Sequence, residues 1–369
     1  MKKINRREFL KTLAVGGTVA CFDGVFSPLS LMMPMDALAS VNKPVVSVVK
    51  IKNGNIDYAV RKAIDLLGGM KTITKGKQRI MLKPNLVSPQ PRDVTKPEIV
   101  KALAKLMTES GKDVCIGEGS AASKANFRPG IFGGVCSTTD REMLNQIQQS
   151  VFDVLGYSEL AKDLKVPLIN LHTGKMSKIS LPDGFVFKEL SLHQSLVDTD
   201  LLCSVPMMKT HGLATVTLGM KNLIGVYPGQ VYGTVRSAVH AEASKVESSG
   251  TASAIIDMVR ANKLGLVVID ASVAMQGQGP SVYRGGELVN MGIIIAGTNP
   301  LATDMVGAFV MGFKPDEIST FIWAWKAGMT PTNIKGIEIR GETLGDVSRP
   351  FKKPRVVPWA QISQYGPPC

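Results

Sequence analysis

The chain of 369 residues is short of the residues that announce most cofactor sites: it has five cysteines, four histidines and only 6% aromatics. Cys21, Cys115, Cys136, Cys203 and Cys369 stand far apart. A zinc ribbon or iron-sulfur run needs cysteines separated by roughly two to four residues, so neither is encoded locally. His172, His193, His211 and His240 are likewise too widely spaced to define a metal site, and the sequence names neither metal nor cofactor. Few aromatics, and lysines that scatter instead of forming a basic stripe, argue against nucleic acid as a partner. No phosphate-loop Lys-Ser/Thr, zinc-protease helix or nucleophile elbow occurs. The run Gly117-Glu118-Gly119-Ser120-Ala121-Ala122 fits the loose dinucleotide pattern, but the residues after it do not read as a helix, which speaks against a nicotinamide site. Long apolar runs are missing too. Asp23 breaks the segment 12–22, well short of the about 20 residues that span a bilayer, so no transmembrane segment is expected in the mature chain.

What is present begins with charge. The formal net charge is +13, and the first 39 residues set Lys2, Lys3, Arg6, Arg7 and Lys11 against Glu8, Asp23 and Asp36, so the remainder keeps +11. That balance favours a small anionic partner. Asn5-Arg6-Arg7-Glu8-Phe9-Leu10-Lys11 reads as a twin-arginine export motif, followed by a modest apolar segment and the small-x-small pattern Ala37-Leu38-Ala39. The expectation is a signal peptide over 1–39, export by the twin-arginine machinery, and a periplasmic mature chain starting at Ser40. Lipid anchoring through Cys21 is the alternative, weakened by Thr18 where a lipobox wants Leu.

The mature chain alternates apolar runs with amphipathic stretches, which predicts an α/β fold: a largely parallel sheet flanked by helices, with a small antiparallel elaboration. Strands are expected at 44–51, 79–83, 113–117, 166–171, 201–205, 264–269 and 291–296. Helices are expected between them, among them one opened by Pro97, one near Asp140, and one capped by Asn299 with Pro300 in its first turn. Asp304 then lies where a helix dipole favours a carboxylate. Residues 175–190 read as an antiparallel pair turning at Pro182-Asp183-Gly184. One α/β domain over 40–349, divisible into two lobes, and a basic, Pro-rich tail over 350–369 account for the length. The stretch 121–136 loses periodicity and reads as a binding loop or lid. Cys115 and Cys203 read as small core residues; Cys136 is the thiol expected to be exposed, and a Cys136–Cys369 pairing stays open.

Ligands in open α/β sheets sit at the C-terminal strand ends. On this reading Lys83 and Asn85 follow one strand, Glu118 another, and Lys209 and His211 occupy a loop after Pro206, with Lys221, Asn222 and His240 further on. Asp270 follows the strand 264–269. Gly277 and Gly279 then let backbone approach a ligand closely.

These residues carry a resemblance. Val60, Arg61 and Ala63, then Lys83-Pro84-Asn85, Gly117-Glu118-Gly119, Lys209-Thr210-His211, Thr217, Lys221-Asn222, Gly225, Asp270, Gly277, Gly279-Pro280 and Asp304 fall in the order and spacing of the family called domain of unknown function 362. The chain resembles that family over essentially its whole mature length. Many members resemble iron-sulfur proteins through an added cysteine-rich segment that this chain lacks. Where the family commonly has Glu before its Gly-x-Gly-Pro block, this sequence has Gln276. A remote similarity to the lactate racemase family rests on strand and loop arrangement alone.

The pattern suits two function classes. In the first, Lys83, Asn85, Lys221, Asn222, Gly277, Gly279 and His240 bind a carboxylate or phosphate, while His211 and Lys209, with Glu118 or Asp270, move a proton beside a carbonyl. Mutual repulsion could make one of the lysines the base. In the second, the protein holds a small anion or cofactor without turning it over, as a binding, maturation or redox-associated accessory protein with no iron-sulfur cluster of its own.

Overall fold

Twelve strands order the described residues: β1 (Val45–Lys50), β2 (Arg79–Pro84), β3 (Asp113–Glu118), β4 (Leu168–Asn170), β5 (Met176–Ser180), β6 (Glu189–His193), β7 (Leu201–Val205), β8 (Met207–His211), β9 (Thr215–Thr217), β10 (Leu264–Gly277), β11 (Gly286–Gly297) and β12 (Glu338–Gly341). The computed structural model describes residues 43–121 and 137–362, all within the unit Lys43–Cys369. The expected export signal, Cys21, Cys136, Cys369 and nearly all of the stretch 121–136 lie outside the described residues.

The main sheet runs β12-β1-β11-β10-β7-β2-β3-β4. All neighbours are parallel except those of β11, which runs against both β1 and β10. Side-chain alternation explains why such strands read as continuous apolar runs: both faces are covered. In β2, Ile80 and Leu82 join the core beneath the helices Ile56–Leu66, Pro97–Glu109, Arg141–Val154 and Tyr157–Leu164, whereas Met81 faces the other core. Val267 and Ile269 of β10 pack with the helices Ala252–Ala261 and Pro300–Val310, and Leu266 and Val268 face the first layer. The fold is therefore a mostly parallel sheet between two helical layers, with β5 and β6 as a separate antiparallel pair.

Helix starts follow local chemistry. Asn55 accepts from Tyr58 N at 2.9 Å, Asp140 from Met143 N at 2.8 Å, and Asn299 from Ala302 N at 2.9 Å with Pro300 in the first turn. Each side chain takes an amide that the helix itself leaves unpaired.

The central event is at Pro206. Up to that point β7 is paired on both edges, by β2 and β10. Proline has no N–H to continue a ladder. Its carbonyl accepts from Asp270 N at 2.8 Å, and the chain resumes as β8, beside β10 and β9 instead of β2. The sheet thus splits at its C-terminal edge.

Two expectations need correction. Lys209 and His211 lie in β8, not in a loop, because β10 and the β9 hairpin supply ladder partners that no local pattern announces. The strand expected to end at 269 continues to Gly277, so Asp270 sits within β10, next to a register shift between Ala271 and Val273.

Candidate functional site

Lys83 is the first anchor. It lies in β2 and is 1% exposed, and its Nζ lies 2.9 and 3.0 Å from the two carboxylate oxygens of Glu118 and donates to Asn222 Oδ1 at 2.8 Å. Glu118 ends β3, and its oxygens also accept Leu86 N and Gly119 N, both at 2.8 Å. Asn222 in turn donates to the Lys83 carbonyl at 3.0 Å and to Ser204 Oγ at 3.1 Å, and accepts from Asn85 Nδ2 at 3.1 Å. A buried ammonium is tolerable when its partners replace water. Burial still pulls Lys83 below the ordinary lysine value, against the pull of Glu118.

Arg236 closes this side, and sequence reasoning did not single it out. Although 2% exposed, its Nη1 donates to Ser120 O at 3.0 Å and to Thr234 O, and its Nη2 donates to Gly225 O at 2.7 Å and to Gly119 O. It welds together the turns that follow β3 and the residues after Asn222. Gly225 fits here for want of a side chain: a Cβ would stand 2.5 Å from Lys83 Nζ and 2.8 Å from Glu118 Oε1. His172 braces the same turn, with Nε2 donating to Ser120 O at 2.8 Å and Nδ1 accepting from Gly229 N at 3.1 Å. Burial and Arg236 hold its pKa well below the usual histidine range.

The other side of the cluster is built on β8. Lys209 and His211, two residues apart, share one face of the strand, and Thr217 stands opposite Lys209 on β9. Lys209 Nζ donates to Asp93 O at 2.6 Å, with Pro280 O at 3.4 Å. Burial pushes Lys209 down to about 7, with Lys83 adding repulsion and Asp93 opposing it. Lys221, 7% exposed, has no hydrogen-bond or ion-pair partner among the described residues. Burial, then Lys209, Lys83 and Arg236, lower it to about 7 as well. His211 Nδ1 accepts from Leu213 N at 3.0 Å, which leaves the proton of the neutral ring on Nε2. Burial and the neighbouring cations Lys221, Lys209 and Arg284 hold His211 neutral well below its ordinary pKa. His240 donates from Nδ1 to Gly250 O at 2.8 Å, stacks on Trp359 at 4.6 Å, and is held to about 4 by burial.

Four other candidates have structural partners. Asp270 accepts Lys96 N on Oδ2 at 3.0 Å and Ser272 N and Oγ on Oδ1 at 3.0 and 2.6 Å, so it fastens the start of the helix Pro97–Glu109 to β10. Gly277 accepts Thr210 Oγ1 at 2.8 Å, and a Cβ on Gly279 would overlap the Thr210 carbonyl at 2.0 Å; the close backbone approach is to β8. Asp304 does more than meet a helix dipole. Its oxygens accept Gly219 N at 2.7 Å and Met220 N at 2.8 Å, while burial pushes its carboxyl up to about 7.

Unsatisfied polar atoms mark the same neighbourhood: Asn85 Oδ1, Asp93 Oδ2, Ser120 Oγ, Thr217 Oγ1 and Arg236 Nε are buried without a partner among the described residues. No group of three or more His, Cys, Asp or Glu among the described residues has the arrangement of a metal site. Cys203 is buried and Cys115 partly so, and burial raises Cys115 to about 12, which makes it a poor thiolate. No helix among the described residues is long and apolar enough to cross a membrane.

Comparison with known proteins places this geometry. The Thylakoid-associated protein sll1697 of Synechocystis sp. is 27% identical over 282 residues, covering 76% of this chain and 77% of that protein. Among solved structures, the lactate racemase apoprotein of Thermoanaerobacterium thermosaccharolyticum is similar with a TM-score of 0.42 at 18% identity, over 73% of this chain and 57% of the other. The family model for the domain of unknown function DUF362 matches residues 80–309, a span holding every residue of the buried cluster from Lys83 to Asp304, and the chain belongs to that family.

Proposed function

We propose that the protein binds a small carboxylate or phosphate at the Lys209, Lys221 and His211 side of the cluster and moves a proton beside a carbonyl of that ligand. The observation that supports this most is Lys221: a side chain only 7% exposed and without a hydrogen-bond or ion-pair partner among the described residues, whose charge is disfavoured by burial and then by Lys209, Lys83 and Arg236. An unpaired ammonium costs too much to bury, so the side chain either sheds its proton or gains an anion. A lysine with a value of about 7 does both near neutral pH, which suits a general base. His211 contributes differently. A neutral ring with its Nε2–H free to donate polarises a carbonyl oxygen and does not take a proton, since Nδ1 is already occupied. Glu118 and Asp270 are engaged with Lys83 and with main-chain amides, so they orient their surroundings.

The test joins binding to turnover. Oxalate and inorganic phosphate are titrated by thermal shift, and solvent deuterium wash-in is followed by NMR across a panel of 2-oxo and 2-hydroxy acids. Oxalate is expected to stabilise the wild type and not Lys221→Met. His211→Ala is expected to keep the oxalate shift and lose wash-in. A thermal shift indifferent to both anions overturns the binding reading; anion binding without wash-in on any acid favours a carrier over an enzyme.

We further propose that the chain is exported by the twin-arginine route, on the strength of Arg6-Arg7 and the small-residue pattern at Ala37-Leu38-Ala39. Cell fractionation of wild type and Arg6→Lys/Arg7→Lys tests this: retention of only the variant in the cytoplasm supports it, identical distribution overturns it.

A further inference from the structure

Past Phe351 the chain leaves the core and crosses the end of β8. Phe351 itself is fixed: it is 6% exposed, and its N–H donates to Met311 O at 2.9 Å. Residues 352–358 form neither helix nor strand, and among the described residues beyond Phe351 only Trp359 is buried. Hydrogen bonds set the route. Lys352 N donates to Gln276 Oε1 at 3.1 Å, and Lys352 O accepts from Gly277 N at 2.9 Å. Gln278 clasps the chain at two points, accepting from Arg355 N at 2.9 Å and donating to Arg355 O at 3.0 Å. Val357 N then donates to Gly212 O at 2.8 Å, one residue past His211. Trp359 stacks on His240 of the helix Ser237–Ser244, with ring centroids 4.6 Å apart. Its seat is kept clear by Gly250, where a Cβ would stand 2.9 Å from Trp359 Cβ. We propose that residues 352–359 form a strap over the His211 and His240 side of the cluster, hinged at Phe351 and latched by Trp359, which swings away to admit a ligand.

The strap rests on the anion-binding reading only for what passes beneath it. His240 and Lys221 are each 7% exposed, so a ligand that reaches them displaces a cover. Two covers meet at β8, and they are held differently. The turns 90–93 and 280–283 are sewn together around the buried amine of Lys209, which lies 2.6 Å from Asp93 O and 3.4 Å from Pro280 O. Val282 N adds a bond to Asp93 Oδ1 at 3.0 Å, and Gln90 Nε2 one to Tyr283 Oη at 2.7 Å. Parting those turns would strand a buried ammonium. Lifting the strap strands no charge. Its ties to Gln276 and Gln278 are exposed, as are the ion pairs Lys352–Glu287 and Lys353–Glu317, and water replaces them at little net cost. The main loss on opening is the burial of one indole, which places the strap among the least stable parts of the fold. Chain ends of this kind move within nanoseconds to microseconds, so the strap sets how often the site is open without adding a slow phase to capture.

The experiment treats the purified full chain with diethyl pyrocarbonate, which modifies accessible histidines, and follows each histidine by peptide mapping. His193, on β6 of the separate antiparallel pair, is the internal reference. Gln278→Ala removes the clasp and leaves Trp359 in place. It is expected to raise the rate at His240 relative to His193 by about tenfold, the combined worth of two exposed hydrogen bonds, and to speed tryptic cleavage after Arg355 by a similar factor. Trp359→Ala is expected to raise the His240 rate at least as much. A ratio of His240 to His193 that Gln278→Ala leaves unchanged, whether both rates rise together or neither does, overturns the strap. Thermal shift with oxalate and inorganic phosphate on the wild type separates the two proposals. Accelerated His240 modification without a shift from either anion keeps the strap and overturns anion binding; a shift without the acceleration does the reverse.

Discussion

One buried cluster contains two kinds of lysine environment. Around Lys83 the donors are spent within the protein: Glu118, Asn222 and four carbonyls beneath Arg236 absorb the positive charge. Around Lys221 they are not, and the charge there is unbalanced. A satisfied network holds a shape, whereas an unsatisfied one awaits a ligand or gives up a proton. Similar side chains therefore have opposite consequences when removed.

The largest effect is expected at Arg236. Arg236→Met strips a donor from four buried carbonyls, of which only Ser120 O keeps another among the described residues, from His172; at about 1 kcal/mol or more for each of the other three, the loss should lower unfolding free energy by about 4 kcal/mol in urea titration. Lys83→Met leaves Glu118 buried with its backbone donors alone and is expected to cost about 3 kcal/mol by the same measurement. Lys221→Met, of nearly the same volume change, should fall within about 1 kcal/mol of wild type or above it, since it removes a desolvated amine that nothing pairs. Equal losses for Lys83→Met and Lys221→Met would erase the distinction.

A different kind of effect is a slope with pH. Lys209 and Lys221 are held at about 7 in the folded chain. From about pH 7 to about pH 10 the unfolded chain keeps protons that the folded chain has lost, so the stability of the ligand-free protein rises with pH through that window. An anion bound beside the lysines draws those protons back, and its affinity should fall as pH rises through the same window. Urea midpoints and oxalate titrations at about pH 6.5, 8 and 9.5 check both signs. A parallel rise in stability and affinity would place the anion elsewhere.

Much of the scaffold was legible from residue pattern. The short apolar runs within 79–83 and at 201–205 marked strands covered on both faces, and Asp140 and Asn299 marked helix starts. These signals are local, so reading them needs no knowledge of the fold. Met207–His211 escaped because Lys209 and Thr210 interrupt any apolar run, and its strand state comes from ladders with residues far along the chain. The later half of β10 escaped for the same reason. Lys83, Glu118 and Asn222 could be singled out, but not who holds whom. Arg236 gave no sign at all: its role depends on carbonyls 116 and 117 residues earlier.

The handover at Pro206 also bears on rates of association. Lys209 and His211 are carried on a strand bonded along both edges, by β10 and β9, before any ligand arrives. An incoming anion need not organise a flexible segment, so its capture is expected to be a single fast kinetic phase, governed by charge steering and weakened by added salt.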